Sequence, residues 1–142
     1  MRIMGLDYGT KTVGVAISDE MMITAQPVET IVRERANKLR KTYQRIEELI
    51  SQNDVEKIVI GKPLNMNGTE GEMVQLMREF SQELSRRTGL EIIEVDERLT
   101  TFEADRILKE TGVAISGRKE HIDKMAAAII LQTYLDMNKE LK

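Results

Sequence analysis

The chain contains no cysteine. That excludes a disulfide framework, a thiolate metal site and a cysteine nucleophile. Aromatic residues are scarce: three tyrosines, two phenylalanines and no tryptophan. Several of these fall at core positions, so a surface that stacks many bases is not expected. Any nucleic acid would be met through its backbone or shape. Long apolar runs are missing too. The longest, Met125 to Leu131, has seven residues, against the ~20 needed to span a bilayer. No signal peptide is expected, because Asp7 interrupts the first apolar run too early, and the cytoplasm is the expected location, with no membrane partner. Charge of one sign is not in large excess: the net charge of −3 argues against a general nucleic-acid binder.

What is present fits one folded unit. With 142 residues, 41% hydrophobic and 32% charged, the chain is read as a single domain over 1–142 with a real core. Charge is unevenly placed. Residues 33–45 carry +5, from Arg33, Arg35, Lys38, Arg40, Lys41 and Arg45 against Glu34, which leaves −8 elsewhere. Such a run reads as a solvated helix face or as a basic stripe beside an acidic pocket.

The stretch 1–19, MRIMGLDYGTKTVGVAISD, reads as a β-hairpin: two apolar runs joined by a turn with Gly9. Asp7 shares the side of Ile3 and Gly5 by the period of two. It is either a turn residue capping the N–H groups of Gly9 and Thr10, or a carboxylate at a core strand's end that needs a partner, a metal or a shifted pKa. Met22–Val32 reads as a third strand, at an edge because of Pro27. A helix is expected over 34–52, with Leu39, Tyr43, Ile46 and Ile50 on one face. Val55–Ile60 reads as a buried strand, followed by the loop GKPLNMNGTEG (61–71). The helix Glu72–Thr88 should end at Gly89, and a strand over Leu90–Val95 leads to Asp96 and Glu97. Thr100 and Glu103 fit a capping box opening a helix to about Glu110. Residues 112–119 read as a mobile loop, and a last helix is expected from about His121 to Met137. Three sequential strands imply an antiparallel meander; the later strands, alternating with helices, imply parallel pairing. The expected fold is α/β, a five-stranded mixed sheet flanked by helices.

Asp7 and the Asp96–Glu97 pair end strands at one edge of such a sheet, where ligands of open α/β sheets bind. Asp123, on the apolar face of the last helix with Ala126, Ala127 and Ile130, is either a first-turn residue complementing the helix dipole or a fourth member of that group. Converging carboxylates repel, and a divalent cation resolves the repulsion. Hard oxygen donors with one histidine suit Mg²⁺ or Mn²⁺. Two such ions ~3.5–4 Å apart can hold a phosphodiester and activate a water, which is nuclease chemistry without a covalent nucleophile.

Four motifs in order, LDYGTKTVGVAISD (6–19), GKPLNMNGTEG (61–71), DERLTT (96–101) and HIDKMAAAIILQ (121–132), resemble the YqgF/RuvX family. That family has the ribonuclease H-like fold and is related to the RuvC Holliday junction resolvases. The resemblance implies a strand-one Asp, an acidic residue after the fourth core strand and a final-helix Asp as metal ligands: Asp7, the Asp96–Glu97 pair and Asp123. Glu97 is favoured over Asp96, since RuvC-like enzymes place a Glu there, and Asp96 then supports it. Where related enzymes carry a fourth carboxylate, this chain offers Glu120 or His121; for His121, capping of the helix start is the first reading.

Lys62, Asn65 and Asn67, with backbone N–H groups of their loop, are candidates for holding phosphates, against a plain structured turn. Arg98 is suited to a phosphate or to Glu97, and Arg118 and Lys119 to closing on nucleic acid. The resemblance implies a nuclease acting in 5′-end maturation of pre-16S ribosomal RNA, or a resolvase of four-way DNA junctions. RNA is the favoured partner, branched DNA the alternative, and a homodimer stays open. Two other classes compete. Asp7-Tyr8-Gly9-Thr10 also resembles the first phosphate motif of ATP-dependent phosphotransferases of the actin-like fold, but those clasp ATP between two domains. A non-catalytic ribosome-assembly factor would not need acidic residues at all three places.

Overall fold

The computed structural model describes residues 1–33, 38–65, 67–97 and 115–139, and in the last helix the side chains of 123–138. The strands are β1 (Arg2–Tyr8), β2 (Thr12–Ser18), β3 (Ala25–Val32), β4 (Val55–Lys62) and β5 (Ile92–Asp96), and the helices α1 (Arg40–Asn53), α2 (Glu72–Thr88) and α3 (Ile115–Lys139). They form one mixed sheet of order β3-β2-β1-β4-β5. β1, β2 and β3 pair antiparallel, while β4 runs parallel to both β1 and β5. The carboxyl ends of β1, β4 and β5 therefore emerge at one edge.

Strand alternation sorts the side chains into two layers. On one face Met4, Leu6, Tyr8, Val13, Val15, Ile17, Ile58 and Ile60 pack against Tyr43, Ile46 and Leu49 of α1 and Val74, Met77, Phe80 and Leu84 of α2. On the other, Ile3, Ala16 and Val59 meet Ala127, Ala128, Ile130, Leu131 and Leu135 of α3. The second face has small residues at its closest approaches. A Cβ on Gly5 would lie 2.7 Å from the Leu131 Cβ and 2.8 Å from the Ala127 carbonyl oxygen. One on Gly14 would overlap the Asp123 carbonyl. Glycine at these strand positions is what lets α3 lie this close to the sheet.

Helix α2 and its left-handed cap at Gly89 (φ 72°) match the sequence expectation. Other boundaries move, for physical reasons. β3 starts at Ala25, not Met22, because the Asp19 carboxylate accepts from the N–H groups of Ile23 (2.8 Å) and Thr24 (3.0 Å), winding 19–24 into a turn with Met22 at φ 57°. β3 is the edge strand, and its register shifts opposite Val15 and Ala16, beside Pro27. α1 starts at Arg40 instead of residue 34, with no side-chain cap. α3 starts at Ile115, so 115–119 are helical rather than a loop. One interior glycine, Gly117, costs about 1 kcal/mol, which a 25-residue helix anchored along its later turns absorbs. As a result His121 and Asp123 stand in the second and third turns and cannot cap the helix. The expected capping box at Thr100 and Glu103, the helix to Glu110 and residues 112–114 lie outside the described residues. No described helix is long and apolar enough to cross a membrane.

Candidate active site

Three carboxylates from three elements lie near the carboxyl edge of the parallel strands, on the α3 side of the sheet. Asp7 is the penultimate residue of β1 and follows Ile3 and Gly5 on that face. Glu97 comes directly after β5; a Cβ on Gly61 would lie 3.3 Å from its Cδ, which puts its side chain on the α3 side. Asp7 and Glu97 share a hydrogen bond, and the charge of Asp123 reaches Asp7 as well.

The Asp7 carboxyl is raised well above the ordinary carboxylate range, first by removal from water, then by the Glu97 hydrogen bond, and then by the charges of Glu97 and Asp123. A hydrogen bond between two carboxyls needs a proton, so at this point a proton offsets the repulsion. Asp7 does not act as a turn cap: the Gly9 N–H donates to the Thr12 carbonyl at 2.9 Å. Asp123 is fixed differently, its Oδ2 accepting from the Thr12 hydroxyl at 2.6 Å.

The Asp96–Glu97 ambiguity has a geometric side. Residues 94 and 96 alternate away from 93, 95 and 97. Glu94 pairs with Arg78 of α2 at 3.1 Å, and Val95 packs in the α3 layer. Asp96, paired in register with Lys62, therefore stands on the α2 side, across the sheet from Asp7.

The donor chemistry suits a hard divalent cation: three carboxylates near one edge, drawn from β1, β5 and α3. Among the described residues, no three ligating side chains are already gathered about one point. Asp7 and Glu97 are held to each other and Asp123 to Thr12, so a cation would replace the Asp7–Glu97 hydrogen bond.

The other expected site residues are dispersed. Lys62 Nζ pairs with Glu70 at 2.8 Å and approaches Glu94 at 3.9 Å, while Arg78 binds both of these carboxylates. Asn65 donates to the Thr69 hydroxyl at 3.0 Å, and Asn67 accepts from the Thr69 N–H (3.1 Å) and hydroxyl (2.6 Å). Both asparagines are thus engaged in closing their own loop. Arg98 lies outside the described residues, and Arg118 and Lys119 are in the first turns of α3 with their side chains outside them.

The basic run 33–45 is not a continuous stripe. Arg33 is buried, its guanidinium 5.0 Å from the centre of the Tyr8 ring and donating to the Gly9 carbonyl. Arg45 is bridged to Glu29 (2.7 Å) and Glu48 (2.9 Å); Lys38, Arg40 and Lys41 remain exposed. Sequence reasoning missed Arg33 as a brace under the β1–β2 turn, and Thr12 as the partner of Asp123. The signal for Thr12 was there: Thr12, Gly14 and Ala16 form the small face of β2, opposite Val13, Val15 and Ile17.

This arrangement can be set beside known proteins. A protein of Agathobacter rectalis named "Putative pre-16S rRNA nuclease" is 57% identical over 136 residues, covering 96% of this chain and 95% of that one. One of the same name from Lachnospira eligens is 54% identical over 140 residues, covering 99% and 100%. Among solved structures, RuvC of T. thermophilus in complex with a Holliday junction substrate aligns with a TM-score of 0.61 over 98% of this chain and 96% of that one. At 14% identity that likeness shows the shared fold, that of a ribonuclease H-like protein. The family model described as "RuvX: Holliday junction resolvase" matches residues 1–137. A match that runs from the first strand through the helix carrying Asp123 makes this chain a member of the RuvX family.

Proposed function

We propose that this chain is a divalent-metal-dependent nuclease, one domain over residues 1–142, that hydrolyses phosphodiester bonds in 5′-end processing of pre-16S ribosomal RNA in the cytoplasm. The observation that carries the reading is that Asp7 and Glu97, distant in sequence, share a hydrogen bond at one sheet edge, with Asp123 near enough for its charge to raise the buried Asp7 carboxyl as well. Family membership implies a divalent ion, and the all-carboxylate donor set favours Mg²⁺ or Mn²⁺. Asp7, Glu97 and Asp123 would hold it. When bound, the ion supplies charge neutralisation, polarisation of the phosphoryl oxygen and activation of a water; the fold is one that hosts two-ion sites.

The protein's own part is placement. β1 and β5 fix Asp7 and Glu97 at the end of a packed sheet, and α3 brings Asp123 over Gly14. Asp96, on the opposite face of the sheet, would support Glu97 only through the backbone the two residues share. Arg98, next to Glu97, and Arg118 and Lys119, in the first turns of α3, are assigned to the phosphate backbone of the substrate. Lys62, Asn65 and Asn67 are assigned to more distant parts of the substrate, and Lys62 would reach a phosphate by exchanging Glu70 for it. With so few aromatic side chains, recognition rests on backbone and shape.

RNA is favoured because relatives above 50% identity over nearly the whole chain carry the rRNA nuclease name, whereas the RuvC likeness reaches fold alone. The family description keeps a four-way junction as the second reading, and that reading also calls for a homodimer, since symmetric nicking needs two sites. The test is cleavage of a 5′-extended 16S precursor RNA and a four-way DNA junction, each with Mg²⁺, Mn²⁺ or EDTA, by wild type and Asp7→Asn. Metal-dependent RNA cleavage lost in Asp7→Asn supports the proposal. Symmetric nicking of the junction with RNA untouched moves the assignment to a resolvase. Cleavage equal in both proteins contradicts the carboxylate site.

A further inference from the structure

Besides its packing on the hairpin, α3 makes one short hydrogen bond to it among the described residues, across 111 residues of sequence: Thr12 Oγ1 donates to Asp123 Oδ2 at 2.6 Å. Both ends are anchored. Thr12 opens β2, its carbonyl accepting from the Gly9 N–H at 2.9 Å and its Cα paired in register with Val32. Its β-branched side chain has little χ1 freedom. On the helix side, the Asp123 backbone lies directly over Gly14, where a Cβ would also come within 3.0 Å of the Lys124 nitrogen.

A carboxylate on a helix surface would ordinarily sample several rotamers. Here one oxygen is held and the plane of the group is set. The two other carboxylates are constrained by each other; Asp123 is constrained by Thr12. We infer that Thr12 is a positioning residue for Asp123: its hydroxyl holds one carboxylate oxygen so that the other meets an ion shared with Asp7. The inference rests on the metal-dependent reading above. It assigns Thr12 no contact with substrate or reacting atoms.

A tie that only joined helix to sheet would affect unfolding and leave ion affinity alone. The experiment is therefore a Mn²⁺ titration followed by electron paramagnetic resonance on wild type, Thr12→Val, Thr12→Ser and Asp7→Asn, with the Tm of each measured in EDTA. Thr12→Val keeps the shape and removes the donor; Thr12→Ser keeps the donor. Loss of a group that orients a ligand typically weakens metal binding about 10–100-fold. We expect about tenfold weaker Mn²⁺ binding in Thr12→Val and near-wild-type binding in Thr12→Ser. Wild-type Mn²⁺ affinity in Thr12→Val, whatever its Tm, overturns the inference, as does an equal loss in Thr12→Ser. Should Thr12→Val not fold, Thr12→Ala in the same titration carries the test. Asp7→Asn separates the two levels: if it loses Mn²⁺ while Thr12→Val does not, the inference alone falls. If wild type binds no Mn²⁺, or Asp7→Asn binds it equally well, the metal reading falls with it.

Discussion

At the residue scale the account turns on a carboxyl group whose surroundings oppose its charge. Burial and two neighbouring carboxylates raise Asp7, so the fold favours the protonated form. The linkage has a definite sign: the Asp7 contribution to stability is fully present below the unfolded pKa of about 3.9 and is lost as pH rises through the higher folded value. In EDTA at neutral pH, Asp7→Asn should therefore raise Tm, by about 3 °C if the relief is ~1 kcal/mol, while cutting metal-dependent cleavage about 10³-fold or more. That loss exceeds what a merely supporting residue would give. Differential scanning calorimetry and single-turnover cleavage check the two halves. Asp7 could be singled out in the sequence because a carboxylate on an apolar strand pattern is costly. The Thr12 bond was legible only in part: the small face of β2 is in the sequence, but the partner depends on α3 starting at Ile115, two turns before Asp123, and on Gly14 admitting the helix backbone.

At the element scale, what brings the carboxylates together is the close seating of α3. Gly14→Ala should push its third turn off β2. We expect a destabilisation of roughly 1–3 kcal/mol in urea unfolding, together with loss of cleavage because Asp123 moves. Gly89→Ala, at φ 72° with nothing near its would-be Cβ, should cost about 1 kcal/mol through backbone strain and leave cleavage unchanged. The loop 61–71 makes a separate prediction. Arg78 and Lys62 lower Glu70 to about 2, so its contribution is present above the unfolded value near 4.5 and is lost as pH falls through about 2. Protection factors in the loop, taken relative to the intrinsic exchange rate at each pH, should fall over that window, and Glu70→Gln should remove that fall.

The elements differ in how far they could be read from sequence alone. α2 and its cap follow from an apolar stripe and a glycine that both act locally. The sheet order follows from three strands in succession and then strands alternating with a helix. The start of α3 could not be read, because Gly117 carries a local loop signal that a long packed helix outweighs. Nor could the fate of the basic run, because Arg33 is drawn beneath the β1–β2 turn by Tyr8 and Gly9.

At the scale of the whole molecule, the two faces of the sheet do different work. The α1–α2 face holds the large side chains of the core, including Tyr8, Tyr43 and Phe80, with ring centres 4.7 and 5.2 Å apart. The α3 face sets Gly5, Gly14 and Ala16 beneath the helix, beside Ile3 and Val59, and carries the carboxylates at its edge. This division distinguishes the two adjacent acids at the end of β5: Glu97 on the α3 face with Asp7, Asp96 on the α2 face in register with Lys62. The account's central claim is that the carboxylates of the α3 face perform the cleavage. The most direct measurement is single-turnover cleavage of the precursor RNA in Mn²⁺ by wild type, Glu97→Gln and Asp96→Asn, at equal Tm-verified folding. The account predicts a loss of about 10³-fold in Glu97→Gln, and in Asp96→Asn at most the 10–100-fold of a supporting group. Full activity in Glu97→Gln, or a larger loss in Asp96→Asn than in Glu97→Gln, would contradict it.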